Sequence, residues 1–443
     1  VVSGPRNEWR VTRQRTRVRG GGAWRGSHPS GGSGVACATP AAGGPAGPAV
    51  RFARPPIIEP VTDLETRPAR PTLSRAAPAL LGYAAVRALG LLALALWSAA
   101  RDKSAYTLLT ARWDSLWYVR VAELGYGYEV RLPNGDVHSN LAFFPLLPWL
   151  ERLGHAVTPL SYADAGFAVG LLASLAAAWG IFAVADLLYG RRAGVCAVLV
   201  WAVLPVGIVQ SMAYSESLFT ALAAWSLYAV ITGRWLTAGA LTCAAGLNRP
   251  TAVALIAALA VAALLALRER RDGPLRPLAA LAIAPLGLVG YLGWVGHEMG
   301  DYGGYFALQR GAWAHTFDYG EHTLDVLTSL PVGHFDYLSA FPFADLIGTG
   351  VVLLALALLP LLIRERPPAV LVVYTVLTLA LVLGSQQIFA NVSRYLLPAF
   401  PLFLPLAAAL RRLTLPQLLL LLGPAALASG SYAGYALFEL GVP

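Results

Sequence analysis

The sequence predicts an all-α, polytopic transmembrane protein, and three observations carry that reading. Only 13% of its 443 residues are charged, where a soluble chain of this size carries roughly a quarter. Apolar runs of about 20 residues, the length needed to cross a bilayer, recur along it. The short loops between them alternate between arginine-bearing and arginine-poor. A mean hydropathy of +0.59 agrees.

The net charge of +9 is concentrated in the first 76 residues and in short loops. There it reads as membrane topology, not as a nucleic-acid surface. Lys103 is the single lysine among 33 basic residues, and the Arg, Ala, Gly and Pro bias marks a GC-rich genome. Cys37, Cys196 and Cys243 provide neither a disulfide framework nor metal-ligand spacing.

Residues 1–76 are rich in Arg, Gly, Pro and Ser and lack apolar periodicity, so they are expected to form a disordered cytoplasmic tail. They are too long and too polar for a signal peptide, so the first span is expected to act as an uncleaved anchor. The membrane domain is expected over 77–443. Its spans fall near 78–100, 165–188, 194–210, 216–232, 235–247, 250–267, 278–296, 345–363, 368–387, 395–410 and 415–437. The fifth would make roughly 20 Å of helix against a hydrocarbon core of about 30 Å.

Arg191-Arg192, Arg234, Arg268 to Arg271, Arg364 to Arg366 and Arg411-Arg412 follow spans two, four, six, eight and ten. With the tail inside, each lands in the cytoplasm; omitting the short fifth span would invert every later loop. About ten or eleven spans are therefore expected, with two long extracytoplasmic loops, 101–164 and 297–344. The turns at 211–215, 248–249 and 385–393 share that outer face, as do six of the seven histidines.

Chemistry-bearing residues gather on this face. Read as a helix over 112–124, Trp113, Leu116, Trp117, Val121 and Leu124 form one apolar stripe suited to the membrane interface, with Asp114 and Tyr118 on its shoulder. A solvated anchor is the competing account, but a carboxylate between tryptophans at an apolar edge is a functional-site signal. Phe143-Phe144-Pro145-Leu146-Leu147-Pro148-Trp149 suits a helix start followed by a kink. Ser215 is placed to cap the fourth span, with Glu216 at its positive end. Asn248-Arg249-Pro250 and Asn391-Val392-Ser393-Arg394-Tyr395 put arginines at outer span ends, against the positive-inside bias, where they serve as anchors or as anion ligands. Gln309, Arg310 and Trp313 lie in the second long loop with His315, His322, His334 and Asp336, whose spacing fits no metal signature. No phosphate loop or dinucleotide fingerprint stands out.

Together these segments resemble the PIG-V family, whose eukaryotic members add a mannose to the GPI anchor. The resemblance rests on Arg112-Trp113-Asp114 with Trp117-Tyr118, Glu123-Leu124-Gly125-Tyr126, Ala142 to Leu146, Tyr214 to Phe219, Asn248-Arg249-Pro250 and Ser393-Arg394-Tyr395, and it covers about 101–410. It implies a GT-C glycosyltransferase, a polytopic helical enzyme using a polyprenyl-phosphate sugar outside the cytoplasm, with Asp114 in the place of the acidic catalytic residue. The expected activity is an inverting mannosyltransferase. A polyprenyl-phosphate mannose would be the donor, and a glycolipid, polymer or protein hydroxyl the acceptor. Asp114 would be the base, Arg249 and Arg394 the phosphate ligands, and Arg112, Trp113, Tyr118, Glu216, Gln309 and Trp313 the substrate contacts. Neither metal nor cofactor is expected. The rival readings are a lipid or polymer transporter or flippase, which would place ionisable residues at mid-span (Asp186 being the main intraspan acid), and a GT-C enzyme using another sugar.

Overall fold

The computed structural model describes residues 72–133, 135–333, 342–386 and 388–440. The tail as far as residue 71 lies outside the described residues, as do Cys37, His334 and Asp336.

The chain begins with α1 (Leu73–Arg101), α2 (Ala105–Thr110) and α3 (Asp114–Leu124), then a hairpin of β1 (Glu129–Arg131) and β2 (Val137–Ser139). Next come α4 (Leu146–Val157), α5 (Tyr162–Tyr189), α6 (Arg191–Ala202), α7 (Ser215–Ile231), α8 (Trp235–Gly246), α9 (Ala252–Arg268), α10 (Leu275–Ile283) and α11 (Leu286–Met299). The second long loop holds α12 (Gly304–Arg310), β3 (Thr316–Phe317) and α13 (Glu321–Ser329). The last third is α14 (Pro342–Arg364), α15 (Ala369–Leu383), β4 (Ser385–Gln386), α16 (Val392–Tyr395), α17 (Leu404–Leu410) and α18 (Leu415–Tyr435).

Each expected span contains helix, but those over 194–210 and 395–410 are helical over only part of their length. Among the described residues, five helices are long and apolar enough to cross a membrane, namely α1, α5, the broken pair α10–α11, α14 and α18; a sixth counts if the bent pair 389–395 and 400–410 is one span. The shorter apolar helices α7, α9 and α15 pack beside them. The segment expected over 194–210 is helical only to Ala202, then unwinds past Pro205 into a 3-10 turn at Gly207–Ser211. Proline removes a helical hydrogen bond there. The buried Arg87 of α1 donates to the freed carbonyls of Ala202 and Gly207. Pro285 marks the break in α10–α11, and the bent pair turns by 79° across Pro398 and Pro401.

Close helix packing depends on small residues. At Gly170 of α5, a β-carbon would sit 2.4 Å from the Met212 carbonyl oxygen, so only glycine lets the unwound segment lie against the helix. The same helix meets α4 at Gly166, where a β-carbon would come within 2.5 Å of Glu151 Oε1.

The motif around Pro145 and Pro148 was expected to start a helix and then kink it. Both prolines instead sit at the start of α4, at its N-cap and in its first turn, where a missing N–H costs nothing. This helix exposes Trp149, Leu153 and Val157 and buries Glu151 completely. Neither Glu151 oxygen has a hydrogen-bond partner among the described residues. Burial therefore pushes its carboxyl well above the ordinary value of 4.5. A raised acid contributes its full stability below the unfolded value and loses it as pH rises through the folded one. Glu151→Gln is expected to flatten the decline in melting temperature from pH 4.5 upward, measured by thermal unfolding in detergent. Identical slopes in mutant and wild type would show that Glu151 is hydrated.

The two faces read from the sequence are the two ends of the helical layer. At one end Arg75 pairs with Asp186 at 2.7 Å, Arg191 donates to the Arg75 carbonyl at 3.1 Å, and Arg411 donates to the Tyr189 carbonyl at 2.6 Å. The intraspan acid Asp186 is thus a helix-end counterion. At the other end Ala213 N–H donates to the Leu109 carbonyl and Leu146 N–H to the Leu247 carbonyl, both at 3.0 Å, while β3 pairs antiparallel with β4. Both long loops and all three turns meet here.

Candidate active site

The site starts from a strained residue. Trp113, just before α3, adopts φ 52° and ψ −127°, a conformation costing a non-glycine residue about 1–3 kcal/mol. Ser115 fixes this bend, accepting from Arg112 N–H at 3.1 Å and donating to the Arg112 carbonyl at 2.6 Å. Asp114 consequently becomes the first residue of α3, at the positive end of the helix.

The helix expected over 112–124 therefore starts two residues later, and its apolar stripe divides. Leu116 and Leu124 are exposed, whereas Val121 is buried, as is Tyr118 on the shoulder of the stripe. Tyr118 turns inward because its hydroxyl donates to Ser215 Oγ at 2.8 Å and its ring meets Phe143 edge-on. Trp117 stacks on Phe143, and Trp313 packs edge-on against both.

Ser215 does not cap α7. Tyr214 holds the cap position, and Ser215, the first helical residue, receives Tyr118 and Arg249, the latter from Nη1 at 2.9 Å. Glu216 beside it is 1% exposed. Its Oε1 accepts from Arg249 at 2.7 Å and also from Arg394, which reaches Asp114 Oδ2 with another nitrogen. Asn248 anchors the α8–α9 turn by donating to the Ser215 carbonyl at 2.9 Å. Two acids and two arginines from four distant segments thus form one network with no net charge. Arg394 lies at its centre, 3% exposed, over the Tyr214 ring.

The network opens onto a cavity of about 490 Å³. Asp114, Tyr118, Arg249, Gln309, Trp313 and Arg394, all singled out from the sequence, line it. Glu216 stands behind the arginines, and Arg112 stacks on Trp113 away from the lining. Phe144, Val253, Leu288, Leu292 and Phe306 make an apolar wall. Sequence reasoning missed Asn248, Tyr305, His315 and Tyr395 as lining residues. Asn248 and Tyr395 adjoin the two arginines in sequence, and Tyr305 lies one helical turn before Gln309, whose amide donates to its hydroxyl at 3.0 Å. Among the described residues, no group of three His, Cys, Asp or Glu side chains is arranged to hold a metal ion.

Residues 140–294, about a third of the chain, match the family described as dolichyl-phosphate-mannose-protein mannosyltransferase. No curated protein matches the chain. Among solved structures, ArnT from Cupriavidus metallidurans bound to undecaprenyl phosphate is similar at 14% identity and TM-score 0.51, over 83% of this chain and 77% of that one. The apo form of the same protein gives 15% identity and TM-score 0.48, over 77% and 61%. The chain shares the fold of ArnT, a polytopic helical membrane architecture.

Proposed function

We propose that this protein is a GT-C glycosyltransferase that moves a sugar from a polyprenyl-phosphate donor to an acceptor hydroxyl, with inversion. One observation carries the reading: Asp114, Arg249 and Arg394, from separate segments, border one cavity that apolar side chains such as Phe144, Leu288, Leu292 and Phe306 also line. The polar end suits a sugar phosphate, and the apolar wall suits a prenyl chain. The match over 140–294 and the undecaprenyl phosphate bound by ArnT support the donor class.

The acceptor oxygen would attack the anomeric carbon while the bond to the phosphate oxygen breaks, its electron pair leaving with the phosphate. Asp114 takes the hydroxyl proton. Arg249 and Arg394 stabilise the growing phosphate charge from positions fixed before reaction by Glu216. Tyr118, Gln309 and Trp313 contact sugar or acceptor, and Arg112, Trp113 and Glu216 support the site from outside its lining.

Mannose is the donor sugar favoured by the motif resemblance to PIG-V and by the matching family. A glycolipid, polymer or protein supplies the hydroxyl. By the positive-inside rule the arginine-bearing end is assigned to the cytoplasm, which supports an extracytoplasmic site. A transporter is less well supported, because the ionisable cluster sits at one end and Asp186 is paired at the other.

The test is the donor preference of purified protein across labelled polyprenyl-phosphate sugars. Transfer from the mannosyl donor is expected; transfer from none of them would exclude the reading, and transfer from another member would reassign the sugar. Arg249→Ala is expected to raise the donor KM roughly 10- to 100-fold, the value of a charged hydrogen bond, and to leave the acceptor KM nearly unchanged. Equal small changes in both would make Arg249 an anchor.

A further inference from the structure

His315 lines the cavity beside the arginines, and its two ring nitrogens have different partners. Nδ1 lies 2.6 Å from the Trp313 carbonyl oxygen. A carbonyl can only accept, so Nδ1 carries the proton and Nε2 keeps its lone pair. Nε2 faces the Tyr395 hydroxyl at 3.3 Å. The Tyr395 ring is also the neighbour of Arg249 and Arg394, whose guanidinium carbons lie 5.7 and 5.5 Å from its centroid. The imidazole follows a backbone turn in which Ala314 takes a positive φ of 51°, a conformation costly outside glycine. A basic nitrogen is thereby fixed at the end of the cavity where both arginines converge.

We propose that His315 is the final proton acceptor of the transfer step, holding the acceptor-hydroxyl proton beside the departing phosphate. The proposal rests on the polyprenyl-phosphate reading above. In the reaction a monoanionic phosphodiester becomes a dianionic monoester, and the acceptor hydroxyl loses one proton. That proton goes first to Asp114 and ends on His315 Nε2, which restores the Asp114 carboxylate for the next cycle.

Charge decides the direction. The groups facing His315 are Asp114 from α3, Arg249 from the α8–α9 turn, Arg394 and Tyr395 from α16, and the Trp313 carbonyl. With Glu216 included, the two acids and two arginines cancel. Burial first, and then the two arginines, hold the imidazole below its usual value of 6.5, so it is neutral and ready to accept. A phosphate dianion leaves this group with one excess negative charge while Asp114 holds the proton and two once its carboxylate is restored, so a neighbouring imidazolium becomes favourable.

Binding of undecaprenyl phosphate to the intact protein in detergent, measured from pH 6 to 8.5, tests this without requiring turnover. In the wild type the dissociation constant is expected to rise with pH, by up to about tenfold per unit where His315 titrates. In His315→Gln the rise is absent, and the phosphate's own ionisation makes affinity level or stronger at high pH. Calorimetry of the wild type at pH 7.5 in buffers of different ionisation enthalpy gives a second measurement that needs no variant. With the phosphate already dianionic, its second pKa being about 6, uptake approaching one proton is expected. Equal pH slopes in the two proteins, or no proton uptake by the wild type, overturn the proposal and leave the donor class standing. No binding at any pH would overturn the donor class itself.

Discussion

Asp114→Asn is expected to lower sugar transfer by roughly 10²- to 10⁴-fold, the usual contribution of a positioned general base, while the protein still inserts and folds. Asparagine keeps the shape of the side chain at the head of α3 and its backbone bonds, so the local bend at Trp113 is preserved. Arg394 still has Glu216, and position 114 is about one quarter exposed. The lost quantity is therefore the ability to take a proton. The measurement is transfer from labelled polyprenyl-phosphate mannose in membranes, normalised to correctly inserted protein. Near wild-type transfer would remove Asp114 as the base. Asp114→Glu supplies the geometric control: the acid is retained but displaced by about a methylene, and a shift near 1 Å is expected to reduce transfer about 10²-fold.

Arg394→Met is expected to be the most destabilising of these substitutions, by about 3–5 kcal/mol, because removing one partner leaves buried charge uncompensated. Glu216 would keep Arg249, but Asp114 would lose its cation, and Tyr214 would lose the guanidinium over its ring. A large fall in melting temperature and in folded yield should follow. Arg394→Lys should recover only part of it, since a single ammonium cannot reproduce the fork that spans two carboxylates. The double variant Arg394→Met with Asp114→Asn should be more stable than the arginine variant alone, because it removes the acid left without a cation. If Arg394→Met unfolds no more readily than wild type, the network is hydrated and its arginines are free ligands.

Much of the site was legible because its residues violate the rules of membrane sequences. An acid among tryptophans, and arginines at the span ends away from the arginine-rich loops, stand out against an apolar background, and Asp114, Arg249 and Arg394 do line one cavity. Glu216 was legible as an acid at a helix start, but not as the residue that holds both arginines, since its partners lie 33 and 178 positions away. His315 was invisible as a site residue. Its significance comes from a carbonyl two residues before it and a tyrosine 80 positions after it, and histidine spacing alone carries neither.

By itself, the sequence determined that the chain is a helical membrane protein with two chemically distinct ends, because hydropathy and arginine placement are local properties of each segment. Tertiary structure decided which apolar segments are long helices and which break, since prolines free backbone groups that only distant partners such as Arg87 can satisfy. It also decided what the polar residues are to one another. Ion pairing depends on distance through space, and only the packed helices bring Asp114, Glu216, Arg249 and Arg394 within reach.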